Sequence, residues 1–277
     1  VNIIFLILGL ILLVLGAELI IRGSVSLGKK LKVSLFAIGI VIVAGGTSLP
    51  ELASSVNAVL MNHSDLAVGA VIGSNIANLI LIMATTTILI PISNINQNQI
   101  NQAWINIALA LILILMSYFL FPFSYIYGIL SIFLLFFLMK TQVKQGSLNV
   151  SEVSEKGDYS LPLSIIFILL GIFLLIYGSN IFVNSAIKIA NQFNVSEAII
   201  GVSLVAFGTS LPELAVGVLS AIRRKVDFAL GNILGSNIYN VLGVLGVSSF
   251  FGNFTIPAIL GSEDLIFMLF VTIMILG

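Results

Sequence analysis

Cysteine is missing from this 277-residue chain, which excludes disulfides, thiolate metal centres and cysteine nucleophiles together. Histidine occurs once, at His63, in a short connector; a lone exposed histidine is a poor metal site, and we assign it no ligand or sensor role. Charge is scarce as well. Asp, Glu, Lys and Arg make up 8% of the chain with a formal net charge of zero, against about 25% charged residues in soluble domains. That balance offers no electrostatic footprint for a nucleic-acid partner. The first apolar run has neither a basic leader nor a small-residue cleavage site, so it reads as a retained helix and not a signal peptide.

What fills the chain instead is apolar sequence, 59% of residues with a mean hydropathy of +1.22. A helix needs about 20 apolar residues to cross a bilayer. Runs suited to that lie at 2–21, 34–60, 67–92, 104–121, 124–140, 162–183, 196–222, 228–251 and from about 262. They are continuous and not alternating, which predicts helices and not a membrane barrel. The expected fold is therefore an all-α polytopic membrane protein of about nine helices.

Ten of the eleven basic residues fall in three connectors: Arg22, Lys29, Lys30 and Lys32; Lys140, Lys144 and Lys156; Arg223, Arg224 and Lys225. Only Lys188 lies on the other side. The bias of basic loops toward the cytoplasm places these three inside and the N-terminus outside.

The chain repeats itself at an offset of 162 residues. Gly46-Thr47-Ser48-Leu49-Pro50-Glu51-Leu52-Ala53 returns as Gly208-Thr209-Ser210-Leu211-Pro212-Glu213-Leu214-Ala215, and Gly73-Ser74-Asn75-Ile76-Ala77-Asn78 returns as Gly235-Ser236-Asn237-Ile238-Tyr239-Asn240. Val33-Ser34 matches Val195-Ser196, and Asp65 matches Asp227. Five spans separate equivalent helices, and an odd number sends the second copy through the membrane upside down, so the halves form two inverted-topology five-helix repeats. We divide the chain into a first repeat 1–140, a polar cytoplasmic linker 141–161 and a second repeat 162–277. Position 277 corresponds to position 115, inside helix 4, and the first residue is valine. The expectation is a chain truncated at its C-terminal end.

Each copy sets a proline and a glutamate within an apolar run. Proline lacks an amide hydrogen and clashes with the preceding turn, so the helix bends or unwinds around Pro50 and Pro212. Irregular backbone at membrane depth is tolerated where it is buried in protein or lines a cavity. Carbonyls and carboxylates are the ligands hard cations require. Thr47 with Glu51, Ser74 with Asn78, Thr209 with Glu213 and Ser236 with Asn240 are spaced i, i+4 and share helix faces. Gly69-x-x-x-Gly73 and Gly231-x-x-x-Gly235 predict close packing of helices 3 and 8. Placing Glu51 and Glu213 at mid-membrane costs roughly 2.5–3.5 kcal/mol apiece, which a bound divalent cation offsets.

These two motifs resemble the alpha repeats of the cation/calcium exchanger superfamily, and the chain is most similar to its prokaryotic sodium/calcium exchangers. The resemblance implies a ten-helix antiporter of alternating access that acts as a monomer in the cell membrane, with Ca²⁺ and Na⁺ as substrates and no cofactor. It further implies that Glu51 and Glu213, with the carbonyls of Thr47 and Thr209, hold Ca²⁺. The flanking Na⁺ sites would use the carbonyls of Ala44 and Ala206 with Ser48, Ser210, Ser74 and Ser236, and Asn78 and Asn240 would sit at the centre. Many relatives carry Asp where this chain has Asn240, which argues against K⁺ co-transport.

Other readings compete. A proton-coupled Ca²⁺ exchanger is the main alternative, although the proton-coupled branch usually carries Gly-Asn-Ala-x-Glu where this chain has Gly-Thr-Ser-Leu-Pro-Glu. A passive channel is usually built by subunits around an axis, and an intramembrane carboxyl protease would show Gly-x-Gly-Asp. Elsewhere, Glu18 and Arg22 read as an interfacial i, i+4 ion pair, and Asn180 at the position equivalent to Glu18 keeps that charge out of the symmetric site. Residues 93–102 read as a compositionally biased connector, and the sequon Asn253-Phe254-Thr255 as chance.

Overall fold

The computed structural model describes residues 2–91, 95–148, 159–193, 206–257, 260 and 263–276. Almost every described residue outside the connectors is helical. The first repeat consists of α1 (Asn2–Leu31), a second span built from α2 (Leu35–Ile38), a π-helical turn Gly39–Val43, α3 (Ala44–Thr47) and α4 (Leu49–Leu60), then α5 (Ser64–Ala77) running through a π turn Asn78–Met83 into α6 (Ala84–Leu89), α7 (Gln97–Tyr118) and α8 (Tyr125–Leu148). The second repeat follows with α9 (Leu161–Gln192), α10 (Ala206–Thr209), α11 (Leu211–Ile222), α12 (Val226–Ile238) with a π turn Tyr239–Val244 and α13 (Leu245–Ser248), and α14 (Glu263–Ile273). Six of these helices are long and apolar enough to span a bilayer, and the bent pair Leu35–Thr47 with Leu49–Leu60 makes a seventh. The remaining two expected spans are represented by the shorter α11 and α14, residues 194–205 upstream of α10 lying outside the described residues.

The prolines act as their chemistry predicts. The second span breaks at Ser48 and turns by 42°, with Pro50 in the first turn of α4, where its missing amide hydrogen leaves no bond unmade. Ser210 breaks the second copy with Pro212 in the first turn of α11. Ser48 has φ −81° and ψ 6°, and Ser210 has φ −87° and ψ 1°: the two breaks are the same conformation. One difference follows from sequence. A proline at position 212 cannot bond the carbonyl four residues back, and the Ser179 hydroxyl donates to that Gly208 carbonyl at 2.6 Å. Ala17 stands at the Ser179 position in the first repeat.

Among the described residues, equivalent helices α1 and α9 form the broadest contact, and they run antiparallel. A Cβ on Gly9 would meet Gly178 O at 2.8 Å, one on Gly16 would meet Gly171 O at 2.8 Å, and one on Gly23 would meet Ser164 O at 2.7 Å. Ascending positions on one helix face descending positions on the other. Because Gly9 and Gly171 are repeat equivalents, as are Gly16 and Gly178, the contact maps onto itself when the halves are exchanged. This is the inverted relation that the odd number of spans requires.

Helix boundaries depart from the apolar runs where polar ends are held. Helix α1 continues to Leu31 and closes with Lys32 at φ 53°, Lys32 N bonding Lys29 O at 3.3 Å and Val33 N bonding Gly28 O at 2.9 Å, the left-handed closing motif of helix C-termini. Asn62 (φ 61°) and its repeat equivalent Arg224 (φ 57°) close α4 and α11 in the same way, and Leu120 closes α7. Helix α7 begins at Gln97, not at 104, because Asn96 and Gln99 form a reciprocal capping box, while Gln99 Nε2 donates to Asp227 Oδ1 at 2.7 Å. The polar string from Asn96 is thus a helix start tied to the other repeat and not mere compositional bias. Helix α8 extends through Leu148, with Gly146 O accepting from Ser34 N at 3.1 Å. Residues 149–158 of the expected linker lie outside the described residues.

Two apolar clusters hold the elements together. One gathers residues of the broken spans, α7, α8 and α14 around Phe123, Leu113, Ile233 and Leu245. The other joins α1 and α9 to α2 and α11 through Ile20, Leu175, Val43 and Val216.

Candidate functional site

The two breaks at Ser48 and Ser210 and the two π turns beginning at Asn78 and Tyr239 bring polar residues from four spans together. A π turn holds one residue more than an α turn and recurs at functional sites. Here one begins at Asn78, whose N–H still bonds Ser74 O, and the other at Tyr239, one residue before Asn240. Thr47 and Glu51 flank the break at Ser48, Thr47 ending α3 and Glu51 lying in the first turn of α4. This i, i+4 pair is therefore divided between two helices and does not lie on the one continuous face that its spacing suggests.

Both glutamates are buried, each 1% exposed. The Glu51 carboxylate faces Glu213 and the Thr209 side chain, and the Glu213 carboxylate faces Thr47 and Ser48. Each acid thus meets the hydroxyl residues of the other repeat. Ser74 Oγ lies 3.2 Å from Ser210 Oγ, another contact between repeats. Thr47, Ser48, Ser74, Asn78, Ser210, Ser236 and Asn240 are all buried. Thr209 is part-exposed.

Oxygen atoms dominate what is left unbonded in this cluster. Among the described residues, Glu51 Oε1 and Oε2, Glu213 Oε2, Ser48 Oγ, Ser236 Oγ, Asn78 Oδ1 and Asn240 Oδ1 are buried without a hydrogen-bond partner. A buried polar atom without a partner costs about 1–3 kcal/mol, more for a charged group, so a concentration of acceptors about two carboxylates is unfavourable unless cations or protons satisfy it. Among the described residues no group of three or more His, Asp or Glu side chains gathers. The charge of the cluster is that of two carboxylates, which matches one divalent cation.

Two expected ligands stand differently. The Ala44 carbonyl accepts from Ser48 N at 3.0 Å, and the single proton of Thr47 Oγ1, 3.3 Å away, is shared between this carbonyl and Asn232 Oδ1 at the same distance. Ala206 begins α10 at the same repeat position as Ala44 begins α3. The glycine pairs also differ. Gly231 packs on Phe36 O and Gly235 on Ile40 and Ala44, whereas among the described residues nothing stands within 4 Å of a Cβ at Gly73 and only Leu260 near one at Gly69. Positions 198 and 202, the repeat equivalents of Phe36 and Ile40, lie outside the described residues.

Three asparagines beyond the expected set belong to the cluster. Thr47 Oγ1 donates to Asn232 Oδ1 at 3.3 Å; its repeat equivalent is Ala70, so symmetry gave no signal for it. Asn75 and Asn237 do carry a signal, the third place of Gly-Ser-Asn in both copies. Asn78 Nδ2 donates to Asn237 Oδ1 at 2.8 Å and Asn240 Nδ2 to Asn75 Oδ1 at 3.0 Å, one bond being the repeat image of the other. Outside the cluster, Glu18 accepts from Arg22 at 2.7 Å as expected, and from Arg223 at 3.0 and 3.1 Å, which fastens α1 to the end of α11.

A helical membrane fold with inverted halves and a buried acidic, oxygen-rich centre defines a secondary transporter of cations. The chain belongs to the sodium/calcium exchanger protein family, whose model matches residues 1–144 and 163–277. It is 30% identical over 91% of its length to the sodium/calcium exchanger MaX1 of Methanosarcina acetivorans, covering 83% of that protein. It is 32% identical over 99% of its length to the putative antiporter CaxA of Alkalimonas amylolytica, covering 88% of that chain. Among solved structures, the sodium-calcium exchanger NCX_Mj superposes with a TM-score of 0.86 at 31% identity, covering 99% of this chain and 88% of the other.

Proposed function

We propose that the protein exchanges Ca²⁺ for Na⁺ across the cell membrane by alternating access, normally in the direction of Ca²⁺ extrusion. The observation that carries this is the pair of buried carboxylates from opposite repeats, Glu51 and Glu213, with unbonded oxygens amid serine, threonine and asparagine side chains. Ca²⁺ takes six to eight oxygen ligands and tolerates irregular geometry, which suits a site assembled from four spans. In this reading Glu51 and Glu213 with the Thr47 and Thr209 carbonyls bind Ca²⁺, and Ser48, Ser74, Ser210 and Ser236 with the Ala44 and Ala206 carbonyls bind Na⁺ in the opposed half-cycle. Ala44 O already accepts from Ser48 N, and its other lone pair is open to an ion when the Thr47 hydroxyl donates to Asn232 Oδ1. Asn78 and Asn240 contribute their oxygens at the centre.

In this reading the N-terminus faces outward and the connection between α8 and α9 lies in the cytoplasm, as the basic residues at the ends of α1, α8 and α11 favour. One chain contains both repeats, so we assign a functional monomer needing no cofactor. Proteoliposomes with an imposed Na⁺ gradient, compared with an imposed pH gradient, test the coupling ion. Ca²⁺ uptake driven by Na⁺ at constant pH is the expected result. Uptake that follows pH with Na⁺ absent would replace it by proton-coupled exchange, in which the same carboxylates carry protons.

A further inference from the structure

Asn75 and Asn237 lie one layer behind the proposed ligands, and their hydrogen bonds run in one direction. Asn237 Nδ2 donates to the Asn75 backbone carbonyl at 3.3 Å. A backbone carbonyl only accepts, so this bond fixes which end of the Asn237 amide faces α5. Its other end, Oδ1, then accepts from Asn78 Nδ2 at 2.8 Å. With its nitrogen held, Asn78 leaves Oδ1 free of that bond, and among the described residues this oxygen is buried and unbonded. The image in the other repeat has Asn240 Nδ2 donating to Asn75 Oδ1 at 3.0 Å and to Ser74 Oγ at 3.2 Å, and Asn240 Oδ1 is likewise buried and unbonded.

An amide is a ligand only at its oxygen; flipped, it presents two N–H donors that repel a cation. The two ends are nearly alike in size, so packing alone cannot choose between them. We propose that Asn237 and Asn75 are positioning residues that set the polarity of Asn78 and Asn240, each acting from the opposite repeat so that an oxygen faces the ion at both central positions. This rests on the ion-site assignment above. It also explains how two asparagines serve at the centre of the site: a carboxylate has oxygen at both ends and needs no such orientation, whereas an amide does.

The test is a pair of double-mutant cycles on the purified full chain, read by Ca²⁺ binding calorimetry with thermal melting alongside. Asn237→Ala should weaken Ca²⁺ binding by about 10–100-fold, the usual cost of losing a partner that orients a metal ligand. In an Asn78→Asp background, where either end of the side chain is oxygen, the same change should cost less than about twofold, the remainder being coupling between the two sites. Equal losses in both backgrounds, or no loss in the native one, would overturn the proposal. So would abolition of binding by Asn78→Asp alone, since the carboxylate keeps an oxygen in place. Asn75→Ala against Asn240→Asp gives the image cycle, with a smaller loss expected because Ser74 remains as an acceptor. If both alanine variants fail to insert, the asparagines are structural and the proposal falls. An unaltered protein that binds neither Ca²⁺ nor Na⁺ would instead fail the ion-site assignment itself.

Discussion

Among the described residues Glu51 and Glu213 carry the charge of the cluster, and each faces hydroxyl groups supplied by the other repeat. Replacing either by glutamine keeps the shape and removes one of two charges opposite a divalent ion. Truncating one partner of a buried charge interaction costs about 2–5 kcal/mol, at least ~30-fold in affinity. Glu51→Gln and Glu213→Gln should therefore each reduce Ca²⁺ uptake to near background in proteoliposomes while the protein still inserts and melts cooperatively. Robust flux in both would remove these residues from the site. Asn240 is the other informative residue. It cannot ionise, so uptake should proceed at the same rate with K⁺ replaced by choline, and a strict K⁺ requirement would show that the amide does not set ion selectivity.

At the scale of elements, the α1 and α9 pair is held by backbone contact at glycines, where any side chain must push the helices apart. Gly16→Val places branched carbon against Gly171 O, already only 2.8 Å from an ideal Cβ. Overpacking a well-packed contact typically costs about 1–3 kcal/mol, and the expected outcome is a lower melting temperature in detergent with a reduced yield of monodisperse protein. The helix ends offer the opposite change. Leu120 sits at φ 52° and is 70% exposed, so its side chain contributes little packing in exchange for a left-handed backbone that costs a β-carbon residue about 1–2 kcal/mol. Leu120→Gly should raise the melting temperature by a few degrees, and an unchanged or lower value would show that the exposed leucine is anchored by its surroundings.

For the molecule as a whole, the proposed exchange predicts flux that responds to membrane potential whenever the ions exchanged differ in total charge. With three Na⁺ exchanged per Ca²⁺, the ratio that the family resemblance suggests, one charge crosses per cycle, worth about 2.3 kcal/mol per ~100 mV. A tenfold Na⁺ ratio adds roughly 1.4 kcal/mol per ion, so the two together supply about 6.5 kcal/mol for Ca²⁺ movement. Valinomycin-imposed potentials should therefore accelerate or slow Na⁺-driven Ca²⁺ flux according to sign, and indifference to potential would indicate an electroneutral cycle. Orientation is checked separately by single-cysteine labelling, which the cysteine-free chain makes unambiguous. A cysteine in the 141–161 linker should resist an impermeant maleimide applied outside intact cells, and one replacing the exposed His63 should react.

The span pattern, the inverted repeat and the residue types at the centre were legible in the sequence because each is written in composition or in a fixed offset. Apolar length dictates helices in lipid, where the backbone must satisfy itself. Proline in the middle of an apolar run predicts a break, and the breaks just before Pro50 and Pro212 share one conformation. What the sequence could not supply were contacts that depend on a second segment. The i, i+4 pair Thr47 and Glu51 was divided by the Ser48 break, which its spacing alone did not place. The polar string near Gln99 acquired its meaning from Asp227, and Glu18 acquired a second partner in Arg223. Asn75 and Asn237 stood in plain view in the motif, yet only the tertiary structure decided their place, because an amide bonds from either end and the neighbour across the repeat interface selects which end is left for an ion.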